Sequence, residues 1–141
     1  MLSIYGKFQN DKNYNNKILK MVDKLQNVNF YGVYNRNQLP EIFSKHDVLV
    51  VPSIWWENSP MVIQESFMAK TPVLCSNIGG MKEKIIDGKN GWYFKVGDSN
   101  DLSEKINYFF ENIGIFNNEN FKVKNIKEDI KNLLKIYKDI V

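Results

Sequence analysis

Apolar residues recur along this chain in two alternating rhythms. Short continuous runs at Leu2–Tyr5, Val28–Gly32, Asp47–Val51, Pro72–Ser76 and Gly91–Phe94 read as strands. The run "DVLVV" at Asp47–Val51 is the clearest, with the unbroken β-branched character of a strand buried on both faces. Between the runs the spacing changes to three and four. Ile18, Met21, Val22 and Leu25 mark a helix over Asn13–Leu25, and Leu39, Ile42 and Phe43 a short one over Gln38–Lys45. Helices are also predicted over Pro60–Lys70 and Met81–Ile86, the latter ended by Asp87-Gly88. In Asp101–Asn112, Leu102, Ile106, Phe109 and Phe110 share one face, and Asp101 stands three residues before Glu104, as in a capping box. The tail Ile126–Ile140 repeats Ile126, Ile130, Leu133, Leu134, Ile136 and Tyr137 at helical spacing.

Strand and helix therefore alternate throughout, with short connections. That order predicts an α/β fold, an open parallel sheet with helices on both faces. No linker-like segment and no internal repeat interrupts it, and 141 residues suit one domain.

Composition narrows the function classes. The chain is 43% hydrophobic and 25% charged, ordinary for a soluble globular protein. Its net charge of +3 is small and its lysines are scattered, so no nucleic-acid partner is expected. The lone Cys75, in the apolar run "PVLC", excludes an internal disulfide and reads as a buried structural thiol. One histidine and one cysteine are too few nitrogen and sulfur ligands for zinc, and no metal is expected. The opening "MLSIYGKFQNDK" lacks the basic head and apolar core of a signal peptide. No run approaches the ~20 apolar residues that span a bilayer, so the expected location is cytoplasmic.

Candidate chemistry concentrates in "PSIWWENSPMVIQE", Pro52–Glu65, between a predicted strand and the next helix. Beyond the carboxyl ends of strands is where an open parallel sheet binds ligands. Ser59 suits an N-cap and Pro60 the first helical position. The amides of Met61, Val62 and Ile63 would then lack partners within the helix and could face an anion, favoured by the helix dipole. Glu65, one turn below Met61, could accept two hydrogen bonds from a ribose diol. Glu57 lies on the loop before the cap. On the residues alone, two solvated surface glutamates are the commoner outcome. The alternative is a cradle fitting a nucleoside-diphosphate sugar in the order ribose, phosphates, sugar.

The spacing E-x7-E from Glu57 to Glu65 is preceded by Asp47 and Pro52-Ser53. It is followed by Ala69, Pro72-Val73, Gly79-Gly80, Glu83, Gly88 and Gly91. This ordered series, within Leu2 to about Asn112, resembles the retaining glycosyltransferases of the large "group 1" family (family 4), of GT-B architecture. The resemblance implies a Rossmann-like half of a GT-B enzyme: the C-terminal, nucleotide-sugar-binding domain, covering 1–141. It implies that Glu57 contacts the donor sugar and helps stabilise developing positive charge. Asn58, Ser59 and Pro60 would line the sugar pocket, and Met61 and Val62 would offer amides to the diphosphate. Glu65 would hold the ribose hydroxyls, and Gly32, Val33 and Tyr34 would border the nucleobase. The implied partners are a nucleotide-sugar donor and a sugar or lipid-linked acceptor, the latter through an N-terminal acceptor domain that this chain does not contain. Peripheral membrane association of the full-length protein is compatible with that arrangement. No cofactor and no metal are implied.

The chain departs from the family pattern in two ways. Members often carry glycine and phenylalanine after the first glutamate, where this chain has Asn58-Ser59-Pro60. The family's arginine and lysine, which neutralise the donor phosphates, belong to a segment before the strand that begins here at Leu2. The isolated domain is accordingly expected to bind donor weakly and to be inactive. A nucleotide-sugar epimerase of the same architecture and a non-catalytic nucleotide-binding module are the rival readings.

Other residues have two readings each. Trp55 and Trp56 form either an apolar wall facing the acceptor or the missing domain, or one core ring and one exposed ring. His46 suits a helix C-terminus better than a catalytic base. Gly79-Gly80 reads equally as a ligand loop or a plain tight turn. Glu83 reads as a steadying group for that loop, and Lys7 as a cation at a sheet edge within reach of phosphate.

Overall fold

A computed structural model describes residues 1–8, 10–116, 118–121, 123 and 125–140. The chain divides into two compact units, 1–42 and 43–141. Each contains parallel strands alternating with helices.

In the first unit β1 (Leu2–Tyr5) pairs in parallel with β2 (Val28–Gly32), and α1 (Lys12–Val22) connects them. Asp11 caps α1 by accepting the amides of Asn13 and Tyr14 at 2.9 and 3.0 Å, so the helix starts one residue before its expected boundary. Ile4, Tyr5, Ile18, Val22, Val28 and Phe30 are partly buried here, Tyr14, Met21, Tyr31 and Val33 are exposed, and ring contacts join the aromatic residues. Phe8 stacks on Phe30 at 4.4 Å and Tyr5 on Tyr31 at 5.0 Å. A 3-10 turn at Arg36–Gln38 leads into α2 (Leu39–Ser44).

The second unit is built on the parallel order β3-β4-β5: Leu49–Val51, Val73–Ser76 and Gly91–Phe94. Strand β4 is central and wholly buried. Its alternating side chains feed two cores, as the two-residue period requires. Val73 and Cys75 join Val51, Ile63, Phe67, Met81 and Ile85 under α3 (Met61–Met68) and α4 (Gly79–Lys84). Leu74 joins Trp92, Phe94 and Phe109 under α5 (Ser99–Glu111). Helices thus cover both faces of this sheet, as the alternation predicted.

Backbones approach closely between β4 and β5. A Cβ on Gly91 would lie 2.0 Å from the Val73 carbonyl oxygen, so only glycine fits there. Asn90, also buried, accepts the Ile86 amide at 2.7 Å and closes the turn before β5. Cys75 is fully buried, and the loss of solvation pushes its thiol up to about 12. It is the inert structural thiol its apolar run suggested.

Three local expectations are corrected. The strand expected over Asp47–Val51 is only Leu49–Val51, and it is half-buried except at Val51, because β4 takes the centre. Asp98, not Asp101, caps α5, accepting the amides of Asn100 and Asp101 at 3.0 Å each. Those amides hold its carboxyl below the ordinary range. Asp101 sits in the first turn instead and accepts the Lys95 amide at 2.6 Å. The third concerns α3 and is described below. The terminal helix α6 (Ile126–Ile140) forms as predicted, and Ile126, Ile130, Leu133, Leu134, Ile136 and Tyr137 are all exposed along it.

Candidate donor site

The loop Pro52–Pro60 leaves the end of β3 and turns into α3. Its expected start is shifted by one residue. Pro60 is the capping residue, extended at φ −58° and ψ 119°, and Met61 begins the helix. Ser59 therefore does not cap it. Its hydroxyl instead accepts a hydrogen bond from the Gln64 side-chain Nε2 at 3.1 Å, which ties the loop to the helix. The Ile63 amide, expected to be open, donates to the Pro60 carbonyl at 3.2 Å. The Met61 and Val62 amides head the helix with no carbonyl one turn behind them inside it, so the anion-seeking end is narrower than predicted.

The far end of α3 is fixed as firmly. The Thr71 amide donates to the Ser66 carbonyl at 2.9 Å, and the Lys70 amide to the Phe67 carbonyl at 3.0 Å. This is the double closure of a Schellman motif, with Lys70 at φ 61° where glycine is usual. The Ser66 hydroxyl adds a bond to the Thr71 carbonyl at 2.7 Å. Ile63 and Phe67 anchor the helix in the core, leaving Met61 exposed and Glu65 half-buried on the outer side.

Glu57 is held from two directions. The Ser53 hydroxyl donates to its Oε1 at 2.8 Å. Its backbone carbonyl accepts the Gly80 amide at 2.7 Å. The second contact explains the double glycine. A Cβ on Gly80 would lie 1.6 Å from the Asn58 carbonyl oxygen, and one on Gly79 2.8 Å from that of Glu57. Gly79 also has φ +57°, in the left-handed region. Gly79-Gly80 is the seat on which Glu57 and Asn58 rest. Ser53 and this seat were not assigned to the site from sequence. The signal was present as the Ser53–Glu57 spacing and the Gly-Gly pair, but nothing in a loop reveals which strand end lies beneath it.

Asn58 and Ser59 are exposed beside Glu57, and Pro60 is buried. Trp55 and Trp56 are both exposed, so the reading with one ring in the core is corrected. Glu83 and Lys7 are exposed, and the His46 amide donates to the Phe43 carbonyl at the end of α2. Gly32, Val33 and Tyr34 belong to the first unit. There Gly32 has φ +72° and accepts the Gly6 amide at 2.8 Å, Val33 is exposed and Tyr34 packs edge-on to Tyr5. Among the described residues no helix is long and apolar enough to cross a membrane.

The fold of parallel strands alternating with helices is shared with solved proteins. It superposes on sucrose-phosphate synthase from Thermosynechococcus elongatus with a TM-score of 0.78 at 22% identity, over 99% of this chain and 38% of that one. It superposes on Anabaena Alr3699/HepE in complex with UDP-glucose with a TM-score of 0.72 at 24% identity, over 80% of this chain and 32% of that one. In sequence, residues 1–128 match the family Glycosyl transferases group 1, and the chain belongs to that family. An uncharacterized 41.2 kDa protein in the cps region of Klebsiella pneumoniae is 32% identical over 87 residues, 62% of this chain and 24% of that protein. The chain spans about a quarter of the length of the curated relatives it matches.

Proposed function

We propose that this chain is the donor-binding domain of a retaining glycosyltransferase. It would move a hexosyl group from a nucleoside-diphosphate sugar to an acceptor hydroxyl, in cell-surface polysaccharide or glycoconjugate synthesis. The observation that carries the proposal is the construction around Glu57. A half-buried carboxylate is fixed by the Ser53 hydroxyl and by the Gly79-Gly80 seat, at the mouth of a helix whose first amides are open.

In this reading the Met61 and Val62 amides, with the helix dipole behind them, bind the diphosphate as its charge grows on leaving. Glu65 accepts the ribose hydroxyls. Glu57 keeps Oε1 on Ser53 and turns its charge toward the sugar carbon that becomes positive. Because the glycine seat fixes the loop backbone, Glu57 reorganises little during the reaction, which is what makes an electrostatic contact effective. Asn58, Ser59 and Pro60 line the sugar pocket. In this reading the helix amides carry the charge of the diphosphate and no metal is needed. The acceptor belongs to the rest of the protein, whose peripheral association with a membrane suits a lipid-linked acceptor. The compartment proposed is the cytoplasm.

The test divides the two glutamates. In the full-length enzyme, Glu57→Ala lowers kcat about a hundredfold, and Glu57→Gln recovers little of it. Glu65→Ala chiefly raises the donor KM, because ribose is held alike in ground and transition states. Equal kinetic profiles for the two alanine variants would remove Glu57 from the chemistry. With the chain alone, UDP should bind near the millimolar range, about −4 kcal/mol. Its largest amide shifts should fall at Met61 and Val62.

A further inference from the structure

The exposed indole of Trp56 has a placement that its neighbours on the loop lack. Ile54, Trp55, Trp56 and Met61 all leave much of their apolar surface in water, and Trp56 the most, at 80%. Its ring is not adrift. The six-membered edge lies against Gly79, where a built Cβ would come 3.3 Å from Cε3. The same glycine seat that holds the Glu57 backbone therefore also supports one side of the Trp56 ring and leaves the remainder open.

A flat apolar surface of this size, one residue along the loop from the carboxylate that Ser53 holds and two from the exposed Asn58, matches one ligand shape closely. A pyranose ring presents an apolar face of C–H groups and a rim of hydroxyls. The Trp56 indole offers the face, and Glu57 and Asn58 offer acceptors and a donor for the rim. We propose that Trp56 is a stacking platform for a sugar ring at this site. The inference rests on the donor-domain reading and adds a specificity-determining residue to it. The sugar is either that of the donor or that of the acceptor, and the two are separated by experiment.

The chain is labelled with nitrogen-15 and titrated with UDP, with UDP-glucose and UDP-galactose, and with maltotriose as a free sugar. The Trp56 indole N–H and the Met61 and Val62 amides are followed in each titration. If the donor sugar stacks, a UDP-sugar moves the Trp56 indole where UDP does not. Trp56→Ala then weakens the UDP-sugar roughly two- to tenfold while UDP is unchanged, the range a ring contact contributes. Trp56→Phe recovers most of that loss. If the acceptor sugar stacks, maltotriose moves the indole and Trp56→Ala abolishes its effect. A Trp56 indole indifferent to every sugar while UDP moves Met61 and Val62 overturns the platform and leaves the donor domain standing. A response to sugar with none to UDP does the reverse. An indole signal that changes only with protein concentration places a second copy of the chain on the ring and also overturns the platform.

Discussion

The two units of this protein build the same parallel motif with different materials. Residues 43–141 surround a central strand whose four side chains are all buried, with a filled core on each face. In residues 1–42 the strands are at most half-buried, and aromatic stacking does the holding. The contrast shows where a fixed site can be built. The catalytic geometry proposed for Glu57 requires a backbone held to within about half an ångström, and only the second unit offers a close-packed base for it. There, α3 is anchored by Ile63 and Phe67, and the loop rests on Gly79-Gly80 above the same core.

Large-to-small substitution breaks the contrast most directly. Phe109 is fully buried and lies within about the same ring network as Trp92 and Phe116, at 6.1 and 5.6 Å. Phe109→Ala should cost about 3–5 kcal/mol in urea unfolding. Trapping of the Cys75 thiol reads the same event, because a fully buried thiol pushed up to about 12 reacts only when the second unit opens. Rapid trapping of Cys75 in the unaltered chain would show that its core is not closed.

Gly80→Ala attacks the seat rather than the core. Its Cβ cannot coexist with the Asn58 carbonyl, so the loop must lift. The expected cost is about 3 kcal/mol, with the amide shifts of Glu57 and Asn58 as the local signature. A variant with unchanged stability and unchanged loop shifts would mean that the seat does not constrain Glu57.

Phe30→Ala makes the matching cut in the first unit. Phe30 is only half-buried against Phe8, so less area returns to water and about 1–2 kcal/mol is expected. A loss equal to that of Phe109→Ala would erase the distinction between the units. The smallest effect is a gain. Lys70 holds the left-handed position that closes α3, and Lys70→Gly should stabilise by about 0.5–1 kcal/mol through relief of that conformation. A loss in thermal unfolding would show that the Lys70 side chain contributes more than its backbone costs.

Much of the architecture was legible in the order of residues. Hydrophobic period separates strand from helix, and three strands, Leu2–Tyr5, Val28–Gly32 and Gly91–Phe94, have the boundaries that period predicts. The candidate loop was legible too, because Glu57, Ser59, Pro60 and Glu65 sit where a strand yields to a helix. Capping was less so. Asp98 and Asp101 are chemically the same, and which one turns toward the first amides depends on where the chain enters α5. Likewise Ser59 is a good cap by type, yet Gln64 claims its hydroxyl and Pro60 takes the position.

What the sequence determined by itself was therefore local: the alternation of strands and helices, the burial of Cys75 in its apolar run, and the break between β3 and α3 in which Glu57 lies. What only the tertiary structure decided was which distant pieces touch. Gly79-Gly80 lies more than twenty residues along the chain from Glu57, and its need for glycine comes from carbonyl oxygens brought to it by the packing of α4 against α3 and β4. Periodicity records how a segment faces its own core, whereas the contact between two loops depends on how the elements beneath them pack. No period in either loop encodes that distance.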